Sequence, residues 1–233
     1  MLPLRDNVPT RRFAVVTVAI IVANFAVWIF WEKAGGEPAF RNSLADGAFF
    51  PCEANSSCNG PGWPWPVNVF TSMFMHASWE HILGNMLFLW IFGNNVEDTF
   101  GRIRFLVFYL AGGVAATAVQ AFVTLGYGTP RDAVVPNLGA SGAIAAVLGA
   151  YLVLIPRGRV LTFVLPFFFL ELPAMVFLGI WFIFQLVAGG YAFVQPQSGG
   201  GVAFFAHLGG FAFGVLAVKL FATGRPRPLN PAY

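Results

Sequence analysis

Six stretches of this chain are each apolar over about the length needed to cross a lipid bilayer, and no other feature limits its possible folds so severely. They are residues 13–31, 73–96, 103–125, 138–155, 174–194 and 202–221. A spanning helix needs roughly 20 mostly apolar residues to cross about 30 Å of hydrocarbon. Backbone polar groups in lipid must be satisfied within the segment itself, which selects helices. Composition agrees, with 58% hydrophobic residues, 10% charged and a mean hydropathy of +0.71, against about 25% charged in a soluble domain. So few charges cannot cover such a core in water. The pI of 9.1 does not point to nucleic acid, because the basic residues punctuate apolar runs instead of clustering with aromatics on a polar face.

The charges also orient the chain. With both termini cytoplasmic, ten of the thirteen Lys and Arg residues fall on the inner side, and Lys33, Arg41 and Arg131 lie outside. That is the expected positive-inside bias. The reading is an all-α membrane protein with three parts: a cytoplasmic segment (1–12), a six-helix membrane domain (13–222) and a proline-rich tail (223–233) expected to be disordered. Arg11-Arg12 before the first run looks superficially like an export signal, but that run is long enough to be a retained helix. Residues 160–172, interrupted by Pro166, read as an interfacial lead-in to the fifth helix. The one long outer loop, 32–72, holds the only two cysteines, Cys52 and Cys58. Facing an oxidising compartment they are a candidate disulfide, with two free thiols as the other reading. Residues 61–66 are too proline-rich for a helix, and their tryptophans suit the headgroup level.

Polar side chains inside a bilayer are functional-site hypotheses by default. The second run carries His76, His81 and Asn85. The fourth begins Gly139-Ala140-Ser141-Gly142. The sixth contains His207 with Gly210 and Gly214, and Gln120 and Gln185 sit in the third and fifth. A serine hydroxyl becomes a useful nucleophile only beside a base. Gly139 and Gly142 leave the backbone around Ser141 uncovered, and a helix start would offer free N–H groups to a developing oxyanion. Gly210 and Gly214 lie three and seven residues beyond His207, on its own helix face. That smooth face, packed on the small-residue fourth run, would bring His207 to Ser141. The plainer reading is that small residues merely let helices approach. His81 and Asn85, four apart, share a face, and Asn85 offers an amide donor; the plainer reading there is polar helix–helix glue. His76 points elsewhere on a strict helix, toward an aqueous mouth. Zinc-protease spacings are absent, as is a pair of intramembrane aspartates. The scheme calls for no metal and no cofactor.

Three motifs together resemble the rhomboid intramembrane proteases: His81-x-x-x-Asn85 in the second run, Gly139-x-Ser141-Gly142 in the fourth and Ala206-His207-x-x-Gly210-x-x-x-Gly214 in the sixth. The resemblance covers about residues 67–221 and is closest to the six-helix bacterial form. It implies Ser141 as nucleophile and His207 as base. The Ser141 N–H, Asn85 and His81 would hold the oxyanion, with His76 nearby and Glu97 bracing the inner end of the second helix. Implied substrates are transmembrane segments of other proteins, cut near their outer end. The implied setting is a bacterial inner membrane, the site opening to the extracytoplasmic side, with lipid as surroundings, no nucleic acid and no oligomeric state indicated. A non-proteolytic chaperone or sorting factor on the same scaffold is the alternative. The chain departs from the family where Asn68 replaces the arginine of a Trp-Arg pair. It departs again where Ala145 stands one turn after the serine in place of an aromatic, and where Gly84 stands in place of a bulky residue. Residues 195–201, uncharged and Gly-rich, are expected to act as a lid.

Overall fold

The computed structural model describes residues 1–33, 35–60, 62–164, 168–194 and 203–223. The expected lid, 195–201, and the tail beyond 223 lie outside the described residues. In chain order the elements are β1 (Leu2–Asp6), α1 (Val15–Ala26) continued by a π-helical segment (Val27–Lys33), α2 (Gly36–Gly47), α3 (Pro51–Ala54), α4 (Trp65–Thr71) with a 3-10 turn (Ser72–Phe74), α5 (Trp79–Phe100), α6 (Arg102–Tyr127), α7 (Pro130–Ala133), α8 (Ser141–Leu154), β2 (Arg159–Val164), β3 (Phe168–Pro173), α9 (Ala174–Val194) and α10 (Phe204–Phe221).

Among the described residues four helical stretches are long and apolar enough to cross a membrane: Val15–Lys33, Arg102–Tyr127, Ala174–Tyr191 and Phe204–Phe221. The other two apolar runs form helices of different character. α5 has 22 residues but carries Glu80, Glu97 and Asp98. α8 has only 14, which at 1.5 Å per residue is about 21 Å, short of the hydrocarbon thickness. Ten of its residues are buried, because it runs through the middle of the bundle against α5, α6 and α10. Its N-terminus is therefore fed by a loop that descends into the bundle. Gly139 N–H donates to Ser72 O at 2.8 Å, and Asn137 and Phe49 exchange backbone bonds.

The α8–α10 contact is backbone on backbone. A Cβ on Gly210 would run into the carbonyl oxygen of Gly142, and one on Gly214 into that of Ala146. Small residues here replace hydrophobic driving force with close approach.

The all-helical expectation needs correcting. β1, β2 and β3 form an antiparallel sheet in that order, at the end of the bundle away from Ser141. Residues 160–164 and 168–172 are not a lead-in but lie in the paired strands β2 and β3, with Leu161 opposite Glu171 and Val160 opposite Leu172. Their β-branched and aromatic residues favour a pleated, half-buried surface, and Val160 and Thr162 are fully buried. Residues 2–6, expected in a separate segment, pair with β2. Asp6 Oδ2 accepts from Tyr151 Oη and Asn95 Nδ2, both at 2.7 Å, and burial pushes its carboxyl up to about 6.

Glu97 ties α5 to α1. Its carboxylate accepts from Val16 N at 3.0 Å, Thr17 N at 2.7 Å and Thr17 Oγ1 at 2.8 Å. α1 has no side-chain cap of its own, so a carboxylate from another helix satisfies the first-turn donors and suits the positive end of the dipole.

In the outer loop, residues 65–71 are helical despite the prolines, since Pro66 occupies the first turn, where a missing N–H is harmless. Trp63 stacks on Trp31 at 5.5 Å, and the fully buried Asn68 donates to Trp63 O at 3.0 Å. These contacts anchor the loop where the arginine is missing. Cys52 and Cys58 form a disulfide.

Candidate active site

Ser141 is the first residue of α8, and the first bond closing that helix runs from Ile144 N to Ala140 O. The N–H groups at the start of the helix have no intrahelical acceptor, so they point, with the positive end of the dipole, into the space beside the Ser141 hydroxyl. Gly139, two residues earlier, has φ +123°, a conformation that a side chain would strain. A Cβ there would also lie 2.8 Å from His81 Cε1, 2.9 Å from His81 Nε2 and 3.6 Å from Ser141 Oγ. The missing side chain thus opens a niche, about one atom wide, between the imidazole and the hydroxyl.

The Gly210 and Gly214 face of α10 carries His207 to this point. His207 Nε2 lies 2.7 Å from Ser141 Oγ, and its Nδ1 lies 2.8 Å from Gln185 Oε1 on α9. The aromatic absent at Ala145 is replaced from another helix: the Trp181 ring sits 6.0 Å from that of His207, tilted by 38°.

The second-run residues occupy the other wall. His81 Nδ1 accepts a long bond from Ala77 N at 3.4 Å, which leaves Nε2 as the protonated nitrogen on the niche side. Asn85 Nδ2 is 3.0 Å from His76 Nε2. The expectation for His76 is corrected. Helix α5 begins only at Trp79, capped by Ser78, so His76 sits in the irregular segment before it. It is fully buried rather than at an aqueous mouth, its ring edge-on to His81 at 5.0 Å.

That segment is held by a residue that the apolar pattern places in the outer loop. Glu32, fully buried, accepts His76 N–H at both carboxyl oxygens, at 3.1 and 3.2 Å. It reaches there because the end of α1 widens into a π-helix, a local change often found at functional sites. Gln185 was visible as a polar residue in an apolar run but carried no assigned role. Nothing in the pattern marked Glu32, since π-helical widening leaves no periodic signature.

A cavity of about 30 Å³ adjoins the hydroxyl, lined by Gln120, Asn137, Gly139, Ser141, Gly142 and Ala206 among others. It has room for one or two waters with polar groups to hold them.

The family model described as Rhomboid domain matches residues 64–223. The chain is 36% identical over 148 residues to zebrafish (Danio rerio) presenilin-associated rhomboid-like protein A, mitochondrial, covering 62% of this chain and 34% of that protein. It is 33% identical over 151 residues to Rhomboid protein 1, mitochondrial, of Saccharomyces cerevisiae, covering 64% and 40%. It is 40% identical over 86 residues to rhomboid-like protein 11, chloroplastic, of Arabidopsis thaliana, covering 37% and 27%. The aligned region spans between about a quarter and two fifths of these relatives' length. The mitochondrial setting of the first two overturns the expectation of a bacterial inner membrane. With the matched region running from the outer-loop helix to the end of α10, and so containing Ser141, His207, Gln185, His76, His81 and Asn85, the chain belongs to the rhomboid family.

Proposed function

We propose that this protein is an intramembrane serine endopeptidase that cuts transmembrane segments of other membrane proteins with a Ser141–His207 dyad, its six apolar helices all embedded in the bilayer. The observation that carries the reading is the 2.7 Å contact between Ser141 Oγ and His207 Nε2 at the submerged start of α8. By the compartment of the relatives, the membrane is a mitochondrial one.

Ser141 Oγ attacks the scissile carbonyl carbon as its proton passes to His207 Nε2. The oxyanion forms in the niche left by Gly139. There the N–H groups at the start of α8, His81 Nε2–H and the second N–H of Asn85 are the available donors. Collapse of the intermediate sends the proton from His207 to the leaving amine. Water from the adjoining cavity then attacks the acyl carbon, giving a proton to His207, which returns it to Ser141 Oγ as the acyl–oxygen bond breaks. Attack by Ser141 requires a substrate helix locally unwound to expose its carbonyl, which favours segments with Gly or Pro.

The test uses purified protein, a labelled fluorophosphonate and a model transmembrane substrate. Ser141→Ala and His207→Ala are each expected to insert and fold but to lose labelling. Cleavage falls by about 10⁴-fold or more, the scale of nucleophile or base removal in serine proteases. Retained cleavage in either variant sinks the dyad, and wild-type protein that is neither labelled nor active would favour a non-proteolytic role.

A further inference from the structure

We infer that Gln185 on α9 is a positioning residue that fixes the tautomer of His207, turning the dyad into a Ser–His–Gln chain. The inference rests on the dyad reading only in taking Ser141 and His207 as the reacting pair. An amide oxygen can only accept, and a neutral imidazole carries one N–H. With Gln185 Oε1 2.8 Å from Nδ1, the ring proton belongs on Nδ1. Nε2 is then a bare lone pair, aimed at the Ser141 hydroxyl 2.7 Å away. The opposite tautomer would set a lone pair against a carbonyl oxygen at one end and an N–H against the hydroxyl at the other, leaving no base.

Two further observations support a built arrangement. Gln185 is buried on an otherwise apolar helix, where an amide is costly unless bonded. Trp181, four residues earlier and hence on the same face, lies against the His207 ring, so one face of α9 supplies both a hydrogen bond and a plane. Among the described residues no carboxylate bonds to His207. The amide orients the ring without the strong attraction that a carboxylate would add to the developing imidazolium.

The decisive measurement is ¹⁵N NMR of histidine-labelled protein in nanodiscs, with the His207 signals assigned by their loss in His207→Asn. The expected wild-type result is a protonated Nδ1 and an unprotonated Nε2. Gln185→Met, similar in length but without an acceptor, shifts the population toward Nε2–H, whereas Gln185→Glu keeps an acceptor and keeps Nδ1–H. In cleavage, Gln185→Met lowers kcat by about 10- to 10²-fold with KM little changed, short of the ~10⁴ that a wrong tautomer costs; Gln185→Glu recovers most of the rate. A wild-type Nε2–H tautomer overturns the proposal, as does a Gln185→Met variant with unchanged tautomer, or one altered only in KM. Should the wild type show the expected tautomer yet cleave nothing, the endopeptidase reading fails while the Gln185 assignment stands.

Discussion

Replacing Gly210 by alanine adds one methyl group, and the structure says where it must go. Gly210 lies one turn beyond His207, and its new Cβ would meet the Gly142 carbonyl oxygen. It would also sit 3.0 Å from the Gly142 carbonyl carbon and 3.3 Å from Ala145 Cβ. The first two are backbone atoms of the central helix, so no side chain can turn aside, and α10 has to retreat by on the order of 1 Å to restore ordinary contact. A retreat of that size along the Ser141–His207 line stretches the 2.7 Å contact past the range of a hydrogen bond. Misplacement by about 1 Å costs roughly 10² in rate, and overpacking typically costs about 1–3 kcal/mol of stability. The expected outcome is a kcat for a model transmembrane substrate lowered about 10²-fold, with a reduced unfolding temperature. Adding Ala145→Gly relieves only the side-chain contact and should not rescue the enzyme. Gly126→Ala on α6, where a Cβ meets nothing within 4 Å, is the matched control and should be silent. If Gly210→Ala cleaves like wild type at an unchanged unfolding temperature, the α8–α10 approach does not position His207.

Stability should depend on pH through Asp6, whose carboxyl burial holds at about 6 against an ordinary 3.8. The folded state then binds the proton more tightly than the unfolded chain. That contribution is complete below about pH 4 and lost as pH rises through 6, on a scale of roughly 3 kcal/mol. Thermal unfolding should fall between pH 4 and 7 in the wild type and flatten in Asp6→Asn, and equal pH slopes would remove the argument. For the outer loop, Cys52→Ser with Cys58→Ser should leave cleavage intact, since neither sulfur enters the proposed chemistry, but lower stability by about 2 kcal/mol for a ring this short. Two alkylatable cysteines in freshly isolated wild-type membranes would contradict the bridge.

What could be read from the sequence divides along a physical line. The helices were legible because burial in lipid demands long apolar runs, and α9 begins and ends where the hydropathy does. The meeting of Ser141 with His207 was legible because close helix approach needs small residues at helical spacing, and Gly210 and Gly214 write that requirement into one local stretch. The sheet was not legible. Residues 160–172 are apolar in either conformation, and what decides between them is pairing with Leu2–Asp6, more than 150 residues away in sequence. The same limit hid the environment of His76, since Ser78 as cap and Glu32 as anchor come from different elements.

Gln185 shows where the boundary lies. Its polarity in an apolar helix was visible, but its partner depends on the rotation of α9, and that rotation follows from which face packs on α10, through Trp181 against Phe211 and Phe182 against Phe211. A residue whose own neighbours in sequence state its constraint can be assigned from sequence. One whose constraint is set by the orientation of a neighbouring helix cannot, however unusual it looks. Gln185, which meets His207 Nδ1, falls in the second group, while Ser141 and His207 fall in the first. The contact between Ser141 and His207 could therefore be read from the chain alone, and the one between His207 and Gln185 had to come from the packing.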